Sequence, residues 1–104
     1  GTEDYMLLVY GDASAAQSVD PAVVAAEYEA WGRSLADEGV GVTGNELAPD
    51  RIVLGEPGPA PDGALGGYFL LSVGAGQDVE TLAQGHPHLR YGGWIEVAPI
   101  LRRN

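Results

Sequence analysis

Cysteine and lysine are both absent, and methionine and phenylalanine occur once each. Without cysteine there is no disulfide framework, no thiolate nucleophile and no thiolate metal site. With five arginines as its only Lys or Arg residues and fifteen carboxylates, the chain has a formal charge of −10. Phosphate backbones are held mainly by Lys and Arg, so this charge excludes nucleic acid as a partner, and an anionic membrane surface with it. Also missing is any run of about 18 apolar residues, the length that a membrane-spanning helix requires. The opening Gly1-Thr2-Glu3-Asp4 is acidic where a secretory signal would be basic. A cytoplasmic location is the expectation, and Gly1, standing where an initiator Met is usual, is set aside from the fold. The charge is uneven, with ten carboxylates against Arg33 alone in residues 1–50. Such an excess reads as a solvated, solubilising face.

A chain of 104 residues, 45% of them hydrophobic, can bury one core and is too short for two, so residues 1–104 read as a single domain. Tyr5-Met6-Leu7-Leu8-Val9-Tyr10 and Leu65-Gly66-Gly67-Tyr68-Phe69-Leu70-Leu71-Ser72-Val73 are largely apolar and do not alternate. Runs of this kind suit strands covered on both faces, in the middle of a sheet. Asp20-Pro21 reads as an N-cap followed by proline at the first helical position, and Gly39 as the C-terminal stop. Between them Val24, Tyr28, Trp31 and Leu35 fall on one stripe, a core face, while Glu29, Arg33 and Asp37 have the spacing of helical ion pairs.

Residues 40–47 predict a short strand or extended loop, and Arg51-Ile52-Val53-Leu54 a second short strand. Gly55 to Gly63, rich in proline and glycine, is a loop long enough to border a cleft. Asp78 to Gln84 makes a short helix closed by Gly85. Trp94 to Val97 is a strand that Pro99 confines to a sheet edge, because proline cannot donate to an inner ladder.

Strands interrupted by two helices predict an α+β fold of the ferredoxin-like, split βαβ plait type, with the first and third long strands central. Helices cover only one face of such a sheet. The apolar second face therefore calls for a second copy of the chain, and a homodimer with sheets face to face is expected.

The segments Tyr5-Met6-Leu7-Leu8-Val9-Tyr10-Gly11-Asp12, Leu65-Gly66-Gly67-Tyr68-Phe69-Leu70 and Gly85-His86-Pro87-His88-Leu89-Arg90-Tyr91-Gly92-Gly93-Trp94-Ile95-Glu96-Val97-Ala98-Pro99-Ile100 together resemble the YCII-related proteins, in particular their DGPF branch. The likeness covers about residues 4–101. It implies a dimeric α/β barrel and activities that include lyase chemistry on chlorinated hydroxyquinols, with some members accompanying extracytoplasmic sigma factors. The founding branch carries a proposed dyad of an Asp ending the first strand and a His near the start of the long helix. Asp12 matches the former, but the helix position falls near Val23 and no His precedes residue 86. Gly58-Pro59-Ala60-Pro61-Asp62-Gly63-Ala64 keeps only the Gly-Pro of the name-giving motif.

Both histidines lie in the third segment. In the expected plait the end of the first strand lies beside the start of the last, which brings Asp12 near His88. A His whose second nitrogen is held by a carboxylate is suited to proton transfer. Asp12 and His88 are therefore the catalytic candidates, and Tyr68, Arg90, His86 and Glu46 the ligand-binding ones, Arg90 through a bidentate contact to a small anionic or phenolic ligand. As metal ligands His86 and His88 would need further donors, such as Glu46 or Asp12; no spacing demands this, so neither metal nor cofactor is assigned. The bland alternative has His86 capping the short helix and His88 in a surface connection. No phosphate-binding loop or nucleophile elbow is present. Two functions stay open: a small-molecule-binding homodimer with acid–base chemistry of lyase or isomerase type, or a non-catalytic binding or regulatory protein that has lost the dyad.

Overall fold

The computed structural model describes residues 1–11, 19–58 and 64–102. The strands are β1 (Thr2–Tyr10), β2 (Gly41–Glu46), β3 (Leu65–Gly74) and β4 (Trp94–Pro99); the α-helices are α1 (Pro21–Asp37) and α2 (Val79–Gln84), with a 3-10 turn over Pro87–Tyr91. The strands form one antiparallel sheet in the order β2-β3-β1-β4, an α+β arrangement compatible with a ferredoxin-like fold. β1 and β3 are central, as their unbroken apolar runs predicted. β4 is an edge strand, where Pro99 opposite Tyr5 leaves no ladder bond unmade. Among the described residues no helix is long and apolar enough to cross a membrane.

Alternation along the strands sorts the side chains onto two faces. On one face Leu7, Leu71 and Val73 pack with Trp31 and Leu35 of α1 and Ala83 of α2, so both helices cover the same side. Leu7 and Leu71, at 0% and 1% exposure, form its centre. Burying a leucine side chain contributes about 1.5–3 kcal/mol, and these two join the central strands to both helices through that cluster. Tyr5, Val42, Phe69, Val79, Leu82 and Ile95 surround them, half-buried. Gln77 joins the layers, donating to the Glu38 carbonyl at the end of α1 and accepting from the Gly74 amide at the end of β3.

The opposite face carries no helix among the described residues. Register places Met6 beside Leu70 and Leu8 beside Tyr68, with Thr43 and Asn45 next along β2. Polar pairs rim this apolar centre: Ser72 donates to Asp4, Asn45 donates to Tyr68, and Arg102 is paired with Asp4. Toward the end of β1, Tyr10 stacks on Trp94 with ring centroids 4.3 Å apart.

The helix ends follow their sequence signals. Asp20 accepts from the Ala22 amide ahead of Pro21, and Gly39 follows α1 at φ +80°. Asp78 accepts from Glu80 and Thr81 at the start of α2.

Three expectations change. Only Trp31 and Leu35 of the α1 stripe are buried, because the first half of α1 lies over the 3-10 turn rather than the sheet. Among the described residues Glu29, Arg33 and Asp37 form no ion pair, and the ion pairs are Arg90–Glu27 and Arg102–Asp4. Arg51-Ile52-Val53-Leu54 is not a strand. It joins neither outer edge of the sheet, and Ile52 and Leu54 are about nine-tenths exposed. Arg51 instead donates to the Ala48, Asp50 and Leu65 carbonyls, tying the segment to the start of β3.

Candidate functional site

The chain between α2 and β4 crosses the open end of the helical layer, and two imidazoles give it shape. His86, 1% exposed, precedes the 3-10 turn, and its Nδ1 accepts the His88 amide at 3.0 Å. Its ring is enclosed by aromatics, with Trp31 at 4.5 Å, Phe69 at 5.1 Å and Tyr28 at 5.1 Å between centroids. Because Nδ1 accepts, the proton of the neutral ring sits on Nε2, which has no hydrogen-bond partner among the described residues. A buried imidazole in such surroundings resists a charge, and burial, followed by the fields of His88 and Arg90, lowers its pKa to about 4. His86 thus caps the turn that follows it, whereas Gly85 closes α2.

His88 faces the other way, toward the end of β1. Its Nε2 lies 2.5 Å from the Tyr10 carbonyl oxygen. A carbonyl can only accept, so Nε2 carries the proton and the basic nitrogen of the neutral ring is Nδ1. Nδ1 stands 3.5 Å from the Tyr28 hydroxyl of α1. Two glycines make room for the ring. A Cβ on Gly93 would fall within the His88 imidazole, and one on Gly11, at φ +139°, would stand 2.8 Å from the Gly93 Cα. The ring is therefore held by Tyr10, Gly11 and Gly93 from two neighbouring strand ends.

The Tyr28 hydroxyl was not among the candidates. Tyr28 is 37% exposed, and burial, with the charges of Glu46 and Glu27 adding to it, raises its phenol pKa. The sequence held one signal: tyrosine on a helical stripe beside Trp31 brings a hydroxyl that needs a partner, which a purely apolar core position does not.

The other candidates disperse. Arg90 pairs with Glu27 at 2.7 Å on the surface, where Tyr91 also donates to Glu27, so Glu27 is held below the usual carboxylate range by both groups. Tyr68 lies on the helix-free face, alternating with Phe69, and accepts from Asn45. Glu46, exposed at the end of β2, acts on Tyr28 through its charge. Asp12 lies outside the described residues, and the Tyr10 carbonyl makes the contact to the second His88 nitrogen that a carboxylate was expected to make.

A groove of about 420 Å³ also runs between α1 and α2, lined by Trp31, Leu35, Leu82 and Pro87 with Glu27 and Arg90 at its rim. Those two satisfy each other, and no imidazole lines the groove. Among the described residues no group of three or more His, Asp or Glu is placed to hold a metal ion.

No protein-family model and no curated protein matches the chain.

Two outcomes follow from this geometry. Gly93→Ala, by driving a methyl into the His88 ring, lowers stability by about 1–3 kcal/mol in denaturant titration and displaces the His88 ring resonances in NMR spectra. An unaltered ring and unaltered stability would contradict the packing described. For His86, the folded pKa of about 4 lies below the ordinary 6.5, so between these values the unfolded chain binds the extra proton. Stability is then lost as pH falls from 6.5 toward 4, by at most about 3 kcal/mol. His86→Asn, which retains a capping acceptor, loses this component in urea titrations across that range; an equal pH slope in both proteins would refute the assignment.

Proposed function

We infer that this chain is a YCII-related protein of the DGPF branch, built as a ferredoxin-like plait that pairs through its helix-free sheet face into a homodimer. It binds a small organic molecule at His88 and performs acid–base chemistry there. One observation carries the site: His88 is anchored through Nε2 to a backbone carbonyl, which leaves Nδ1 as a fixed, partly accessible base. A side chain held by one nitrogen, with the lone pair of the other uncommitted, is what a general base requires.

Support for the dimer comes from the helix-free face. Met6, Leu8 and Leu70 form an apolar centre, and the Asp4–Ser72 and Asn45–Tyr68 pairs a polar rim. That is the anatomy of an interface, with an apolar core inside a hydrogen-bonded margin. The family reading rests on the three motif segments and on the agreement of the β2-β3-β1-β4 order with the expected plait. The lack of an imidazole at the start of α1 favours a second reading, a binding or regulatory protein without turnover.

The test is a thermal-shift screen of phenols and small carboxylic acids against the wild type and His88→Ala, with sedimentation of both. At one hundred times its Kd a true ligand stabilises by about 2.7 kcal/mol. The expected result is a dimer whose stabilisation by at least one compound disappears in His88→Ala. Equal shifts in both proteins would sink the site, and a monomer at micromolar concentration would sink the interface. Ligand stabilisation without product formation would select the second reading.

A further inference from the structure

His88 Nδ1 and the Tyr28 hydroxyl come from different elements and meet at 3.5 Å. That separation is long for a hydrogen bond, so the two groups stand side by side without satisfying each other. Both residues are partly exposed. Their chemical characters are complementary. Nδ1 is the lone-pair nitrogen of an imidazole whose proton is committed to the Tyr10 carbonyl, and Tyr28 offers a phenolic proton. The raised pKa of Tyr28 keeps that proton on oxygen through the neutral range.

The charges around the pair bear on what it would take. Glu27 and Glu46 both act on the Tyr28 phenol, while Arg90, the cation of the His86–Tyr91 stretch, is engaged by Glu27. A negatively charged ligand approaching Tyr28 would meet carboxylates and a guanidinium already occupied.

We propose that His88 and Tyr28 act as a base and acid pair that enolises a small neutral carbonyl compound bearing a hydrogen on the carbon next to the carbonyl. The proposal rests on the reading of His88 as the reactive group and adds its partner and substrate class. Bond lengths place the carbonyl oxygen and the adjacent carbon about 2.4 Å apart. A base and an acid 3.5 Å apart can therefore each face one of them at once. Nδ1 takes the proton from carbon, the C–H electron pair becomes the C=C bond of the enol, and the carbonyl π pair takes the phenolic proton. This leaves an imidazolium beside a phenolate, and transfer of the proton from Nδ1 to the Tyr28 oxygen restores both groups. No oxidant, reductant or co-substrate enters, so the net change is a tautomerisation.

The experiment follows deuterium uptake from D2O by NMR at the carbon next to the carbonyl. The probes are three neutral ketones, cyclohexanone, phenylacetone and methyl 4-oxopentanoate, and the anion 4-oxopentanoate. The wild type is expected to accelerate exchange of at least one neutral ketone, and to prefer methyl 4-oxopentanoate to the anion. Tyr28→Phe and His88→Ala should each lose about 100-fold of that acceleration. Phe keeps the ring that packs against His86, and melting curves verify that the variant is folded at the assay temperature. Glu46→Gln should raise exchange of the anion. Loss of exchange in His88→Ala but not in Tyr28→Phe would overturn the pairing and leave the His88 reading standing. Faster exchange of the anion than of its ester in the wild type would overturn the substrate class. No acceleration of any probe, or no effect of either variant, would overturn the proposal whatever the outcome of the ligand screen.

Discussion

The enclosed imidazole of His86 is the contact on which the rest of the site depends. It sits where α1, β3 and the α2–β4 connection meet, filling the space among Trp31, Phe69 and Tyr28 and accepting the amide that starts the 3-10 turn. That cap directs the backbone of His88, and the direction of His88 decides which ring nitrogen meets the Tyr10 carbonyl. A buried polar ring costs free energy unless it is bonded, and one of its two nitrogens is left without a partner among the described residues. The core therefore carries a polar group where an aliphatic one would pack more favourably, and the gain is a fixed turn.

The sheet separates two tasks. Its helical face builds the hydrophobic core and, at the end where α1 extends beyond the sheet, the His88–Tyr28 pair. Its other face holds apolar side chains without a helix over them among the described residues. Central strands apolar on both sides serve both at once, which is why β1 and β3 do not alternate in hydropathy. The edges are blunted differently: β2 is short and polar, and β4 ends in proline.

Much of this architecture was legible in the chain because backbone rules act locally. Asp20-Pro21, Gly39, Asp78 and Pro99 each mark a boundary through a donor satisfied or a donor missing, and the boundaries fall at or within a residue or two of those marks. β1 begins earlier than its apolar run because Thr2 to Asp4 extend the ladder to β3 with polar side chains, which hydropathy does not register. Ile52 to Leu54 misled for the converse reason, being apolar and strand-forming yet following an Arg51 that is tied to the start of β3 and pairing with neither sheet edge. At the site, proximity of the end of β1 to the 86–93 stretch was readable from topology. The partner that meets His88 there is a main-chain carbonyl, which no residue type announces. Tyr68 and Arg90 failed on direction: strand parity turns Tyr68 away from the helical face, and Glu27, nearby on α1, draws Arg90 outward. Tyr28 was hidden by its own periodicity, since a stripe reveals a face and says nothing of where a hydroxyl ends.

The central claim concerns one proton. It sits on Nε2 of neutral His88, against the Tyr10 carbonyl, with Nδ1 turned to Tyr28. Long-range proton–nitrogen NMR correlation on the uniformly labelled protein above neutral pH reads the tautomer of each of the two histidines directly. The expected result is a pure Nε2–H tautomer at His88 whose ring proton is protected from solvent. A proton on Nδ1, or rapid averaging between the two nitrogens, would contradict it.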